Sequence, residues 1–116
     1  MIDKYGTDGH EIVGADYEGY DQPDAIIRHA PDILAKQAGG LLRVCEAESG
    51  LDDFKSAHTL EQFEDFSNLA MTAGPLKGQA VPFDIVIPKS GYALLKQVLK
   101  ENRILEKNIK IWTMDV

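Results

Sequence analysis

The stretch VPFDIVIP, residues 81–88, limits the fold more than any other part of the chain. It is short, nearly all apolar and rich in β-branched side chains. Strand side chains alternate between faces, so a strand that is apolar at both parities has to be covered on both. The segment therefore predicts a central strand in a sheet with helices packed against it.

The flanking sequence supplies those helices. Ahead of the strand, Thr59 followed by Gln62 matches a capping box, and Leu60, Phe63, Phe66 and Ala70 form an apolar stripe with helical spacing. Gly74-Pro75 is the predicted end of that helix. Behind the strand, Ser90 is the expected cap of a helix that buries Leu94, Leu95, Val98 and Leu99 and turns Lys96, Gln97, Lys100 and Glu101 to water. The segment NIKIWTM then closes the chain as a strand, completing a β-α-β crossover.

The first half reads differently. Residues 10–23 are extended or turn-rich, with Ile12, Val13 and two tyrosines broken up by Gly14, Gly19 and Pro23. A short helical turn is expected at Asp24–His29, after which Pro31 pushes Ala30 into extended conformation. DILAK then reads as a strand, Gly39-Gly40 as a tight turn and LLRVCEA as its partner, giving a β-hairpin over residues 32–47. The order β-β-β-α-β-α-β defines one α/β sheet covered by helices, in a single domain spanning residues 1–116.

Composition adds exclusions. The chain has 116 residues, enough for one modest core, with ordinary hydrophobic and charged content. No run approaches the roughly 20 apolar residues of a membrane span. The opening MIDKYGTDGHE lacks the basic start and apolar centre of a secretory signal. Cys45, alone inside an apolar run, cannot form an internal disulfide and is expected to be a small buried hydrophobe in a reduced, cytoplasmic protein. The net charge of −7 is uneven: residues 1–65 hold 15 acidic and 5 basic side chains, residues 66–116 hold 4 and 7. An acidic first half opposes non-specific nucleic-acid affinity, which depends on cations at phosphates. It accords equally with a cation site and with a plain solvated face.

The candidate site lies at the end of the hairpin. In LLRVCEAES, residues 41–49, the side chains of Leu42, Val44, Glu46 and Glu48 share one strand face. That face changes from core to carboxylate at the rim of the fold. Asp32 starts the facing arm, so the hairpin sets Asp32 beside Glu46, within reach of one hard cation. Mg²⁺ typically takes one or two carboxylates and completes its shell with water and phosphate oxygens. The Ala47 carbonyl is a further candidate ligand.

Pro31-Asp32, thirteen residues, then Glu46-Ala47-Glu48 resembles the PD-(D/E)xK nuclease motif. The likeness extends through PDILA, GGLLRVCEAES, HTLEQFEDFSNLA and FDIVIPK, about residues 10–114, to small proteins of the restriction-endonuclease-like fold. It implies a mixed central sheet flanked by helices, Mg²⁺ or Mn²⁺ held by Asp32, Glu46 and Ala47, a catalytic set of Asp32, Glu46 and Glu48, and phosphodiester hydrolysis of nucleic acid. Gln62 and Phe66 are similar to a glutamine-and-tyrosine element on the following helix of one nuclease branch.

Two departures from that pattern carry consequences. The third motif position is Glu48 rather than lysine, which exchanges a positive charge near the phosphate for a carboxylate able to act as a general base. Arg43 and Lys55 are out of register with the motif, and Lys36 lies four residues past Asp32. The amino-terminal helix of the family is expected to be absent or reduced to a turn, with Glu11 and Glu18 as acidic stand-ins. A sheet left bare there would favour a homodimer. The alternatives are a catalytically degenerate domain acting as a binding or assembly module, and a general acidic interaction domain. Each site residue also has a plainer reading: Asp32 as a turn residue, Glu46 and Glu48 as a solvated strand end, Gln62 as part of the Thr59 capping box. The three histidines lack transition-metal spacing; His58, beside the expected cleft, is the accessory candidate among them. Trp112 reads as core packing and Lys89 as a solvated lysine ahead of a helix.

Overall fold

In a computed structural model, the described residues are 1–15, 19, 31–37, 39–48, 54, 56–72 and 74–114. They form helix α1 (Ile2–Thr7), strands β1 (Glu11–Ala15), β2 (Ile33–Lys36) and β3 (Leu42–Ala47), helix α2 (Ala57–Ser67), strand β4 (Phe83–Pro88), helix α3 (Tyr92–Glu101) and strand β5 (Ile109–Met114). The five strands make one mixed sheet in the order β1-β2-β3-β4-β5. β1, β2 and β3 pair antiparallel, whereas β3-β4 and β4-β5 are parallel. This is the expected strand-and-helix order with a helix added in front. The turn expected at Asp24–His29, together with Glu18 and Lys55, lies outside the described residues.

All six residues of β4 are buried. One face carries Phe83, Ile85 and Ile87, which pack with Phe63 and Phe66 of α2 and Leu95, Val98 and Leu99 of α3. Phe66 meets Phe83 edge-on, with ring centroids 5.4 Å apart. The opposite face is covered by much less: Tyr5 of α1 joins Ala35, Cys45 and Val86 in a smaller cluster flanked by Ile12, Ile33 and Trp112. Both long helices thus sit on one side of the sheet and a six-residue helix on the other. The amino-terminal helix is therefore present, not reduced to a turn, and Tyr5, 1% exposed, anchors it.

Helix boundaries depart from the expectation in three places, each for a local reason. The cap of α2 is Ser56, whose Oγ accepts from the Thr59 N–H at 3.1 Å and donates to Thr59 Oγ1 at 2.8 Å. Thr59 is thus the third helical residue, and Gln62 takes no part in capping. The helix ends at Ser67, ahead of Gly74-Pro75, because Ser67 Oγ and Asn68 Nδ2 both donate to the Glu64 carbonyl. Side chains that satisfy terminal carbonyls let a helix stop there. Ser90 sits inside a 3₁₀ turn, Lys89–Gly91, so Gly91 precedes α3 without a side-chain cap bond.

Candidate functional site

β2 and β3 pair Ile33 with Cys45 and Leu34 with Val44, which brings Asp32 to the end of β3. The Asp32 N–H donates to Glu46 Oε1 at 3.1 Å, and the Ala47 N–H donates to Asp32 Oδ2 at 2.8 Å. The two carboxyl groups are also close enough to share a hydrogen bond. Glu46 is only 3% exposed. Burial, then the neighbouring Asp32 charge, pushes its carboxyl up to about 9, with Glu48 adding to the effect and the Asp32 N–H opposing it. At neutral pH Glu46 therefore holds a proton.

Two prolines explain why the strands part here. Continuing the β2-β3 register places Pro31 opposite Ala47. Proline has no N–H, so the Ala47 carbonyl receives no ladder bond from that position. On the other side of β3, the Glu48 N–H still donates to the Val86 carbonyl at 2.9 Å, but Pro88 has no N–H to return. Both ladders therefore end at Ala47-Glu48. Ala47 and Glu48 thus lie at the carboxyl end of β3, and ligands of open α/β sheets bind outside the carboxyl ends of strands.

Asp32, Glu46 and Ala47 are thus gathered at one point, and half-buried Glu48 follows directly. His58, exposed, and Gln62, half-buried, lie on α2, the helix packed over the Glu46 face. Glu11 does not belong to this group. It pairs with Lys36 at the other end of β2, four residues from Asp32, or about 13 Å along a strand. Lys36 is equally remote. Among the described residues, no group of three or more His, Cys, Asp or Glu side chains is arranged as a metal cage.

A second carboxylate centre, which the sequence reading missed, occupies the opposite face. Asp84 of β4 is fully buried. Arg43 grips it with Nε to Oδ2 at 2.5 Å and Nη2 to Oδ1 at 2.8 Å, and the Trp112 Nε1–H donates to Oδ1 at 3.0 Å. The Tyr5 hydroxyl donates to Oδ2. Burial alone would raise the Asp84 carboxyl, but the donors from Arg43, Tyr5 and Trp112 outweigh it and hold it below the usual range. Cys45 beside it is buried, which pushes the thiol up to about 12 and leaves it unreactive. The Trp112 ring faces two cations, Lys110 Nζ at 4.1 Å and Lys4 Nζ at 5.9 Å. The signal for this centre is the lone acid in VPFDIVIP. A carboxylate in a strand covered on both faces calls for an ionic partner, and of the basic residues on the two neighbouring strands, Arg43 of β3 and Lys110 of β5, it is Arg43 that binds it.

The chain matches no family model, no curated protein and no solved structure.

Proposed function

We propose that the Asp32–Glu46 pair is a divalent-cation site, for Mg²⁺ or Mn²⁺, in a small nuclease-like domain that hydrolyses phosphodiesters. The observation that carries this reading is the pair itself: two carboxyl groups brought together across a hairpin, one retaining a proton because it is buried beside the other. Hard cations favour such oxygen donors, and a cation relieves the same crowding that the proton relieves now. The Ala47 carbonyl, with no ladder donor from Pro31, is the third oxygen. When bound, a divalent ion polarises the phosphodiester and eases ionisation of water. Glu48 orients the attacking water and accepts its proton, at the position where PD-(D/E)xK nucleases carry lysine. An antiparallel hairpin feeding a parallel β3-β4 pair is compatible with that fold.

The direct experiment is incubation of supercoiled, linear and single-stranded DNA, and of RNA, with the protein and Mn²⁺. Cleavage lost in Glu46→Ala supports the reading; equal cleavage by the variant removes these residues from the chemistry. A second reading, a degenerate domain serving as a binding or assembly module, is favoured by one observation. The pair is already satisfied by the Asp32 N–H and the shared proton, with no larger cage among the described residues. Calorimetric titration separates the two. An intact site gives Mn²⁺ heat that Asp32→Asn abolishes, and a degenerate one gives no heat that depends on Asp32.

A further inference from the structure

The carboxyl end of α3 breaks a local rule. Asn102 is the C-cap, and the turn beyond it closes with Arg103 N–H to the Lys100 carbonyl at 3.2 Å and Ile104 N–H to the Leu99 carbonyl at 2.9 Å. These two bonds make a Schellman motif, whose residue after the cap is left-handed and most often glycine. Here it is Arg103, with φ of 55°. A β-carbon is disfavoured in that conformation. Six other left-handed positions among the described residues carry glycine, so the arginine stands apart. A cation near a helix carboxyl end is favoured by the helix dipole, but Lys100 already provides one in the last turn.

Arg103 stands on the rim of an open groove of about 650 Å³ between the end of α3 and the chain leading to β5. Leu105 supplies its exposed apolar surface, above the buried Leu99 and Ile104, and Lys96, Lys100, Arg103 and Glu106 supply the charge, three cations to one carboxylate. Leu105 is 62% exposed, more than any other large apolar side chain described. Lys96 is engaged by Glu106 at 2.7 Å, and no ion pair involves Lys100 or Arg103 among the described residues. Because β4 and β5 are parallel, α3 crosses from the carboxyl end of one to the amino end of the other. The groove therefore lies at the pole opposite Asp32 and Glu46, and its role is independent of theirs.

We propose that this groove docks an acidic segment of a partner protein. An apolar side chain of the partner packs on the exposed Leu105 while its carboxylates pair with Lys100 and Arg103. Charge complementarity selects an acidic occupant, since this is a cationic rim on a chain of net charge −7. The apolar surface selects a protein segment over nucleic acid, whose backbone brings phosphates but no aliphatic side chain. Arginine at a glycine position then has a reason: it holds a bidentate carboxylate ligand at the groove edge.

The test uses the full chain and a fluorescein-labelled peptide of glutamate and leucine pairs, EELLEELLEE, read by fluorescence anisotropy at low and physiological salt. The expected result is saturable binding that weakens about tenfold or more in the double variant K100E/R103E and in L105D. The glutamine version of the peptide should fail to compete. Arg103→Gly should weaken binding without lowering Tm, since glycine suits that backbone. Absence of saturable binding, or binding indifferent to K100E/R103E, overturns the proposal. So does tighter binding of a DNA duplex that K100E/R103E abolishes, which reassigns the groove to nucleic acid. Concentration-dependent dimerisation lost in L105D overturns it in favour of a second copy of this chain. None of these outcomes bears on Mn²⁺ binding at the other pole.

Discussion

The sheet carries a carboxylate centre on each face, and the two are built on opposite terms. Asp84 is one carboxylate with four donor contacts from three side chains, two of them from a guanidinium. Asp32 and Glu46 are two carboxyl groups that share a hydrogen bond and draw on two backbone N–H donors. Asp84 lies within the sheet, held by groups from α1, β3 and β5. The pair lies where prolines end both ladders beside β3. A satisfied carboxylate ties elements together, whereas a crowded pair at a strand end is poised to accept a cation. On this difference the first centre is structural, and the second is the one proposed above to hold a cation.

The largest expected effect breaks the structural centre. Asp84→Asn keeps the shape but turns an amide N–H toward the Arg43 donors, leaving a guanidinium without its carboxylate. The Arg43 side chain is 17% exposed, so water relieves only part of the loss. A destabilisation of about 3 kcal/mol is expected in urea unfolding. A value below about 1 kcal/mol would mean that α1 is held by apolar contact alone.

The two centres also bend the stability–pH profile in opposite directions. Glu46 has a folded pKa of about 9 against a usual 4.5. Between those values the folded chain holds one more proton than the unfolded chain, so stability falls as pH rises. At about 1.4 kcal/mol per pH unit for one proton, the change between pH 5 and 7 is about 3 kcal/mol. Asp84 is depressed, so its contribution is complete above the usual aspartate value and disappears as pH falls through its folded pKa. Glu46→Gln is neutral at every pH; it should remove the alkaline loss, make the protein more stable than the parent at pH 8, and abolish Mn²⁺ binding. Unfolding curves at several pH values check the first two, and an unchanged slope would show that Glu46 is ionised in the fold.

A smaller effect separates the donors to Asp84. Tyr5→Phe removes one hydroxyl from a carboxylate that keeps Arg43 and Trp112, so about 1–2 kcal/mol should be lost. Mn²⁺ titration of this variant should match the parent, because Tyr5 sits on the other face.

Much of this was legible in the residues, and the exceptions have physical causes. VPFDIVIP named the central strand because its apolar residues occupy both parities, and Gly39-Gly40 with Leu42 and Val44 named the hairpin, hence the approach of Asp32 to Glu46. Glu11 was misplaced because strand direction and register decide which acid joins the pair, and a lone edge strand with a bulge between Ile12 and Gly14 shows neither. The Asp84 centre was hidden by its spread, with Tyr5, Arg43, Asp84 and Trp112 drawn from four separate elements. Six residues around Tyr5, interrupted by Gly6, give too little periodicity to announce a helix; tertiary contact with the sheet holds α1 instead.

The smallest effect concerns the helix starts, where local pattern was misread. Thr59-x-x-Gln62 looked like a capping box, yet Ser56 caps α2 and Thr59 is the residue whose N–H it satisfies. Ser56→Ala should therefore cost about 1 kcal/mol. Ser90→Ala should cost close to nothing, since Ser90 makes no cap bond to α3. The pair also sharpens the contrast between faces. α2 packs over the face that carries Glu46, so a loosened first turn should raise amide hydrogen exchange in residues 57–60 and weaken Mn²⁺ binding slightly. Exchange on the Asp84 face, read at Tyr5 and Trp112, should stay as in the parent. Equal loosening on both faces would mean that the sheet transmits the change, and the two centres would then have to be treated as one cooperative unit.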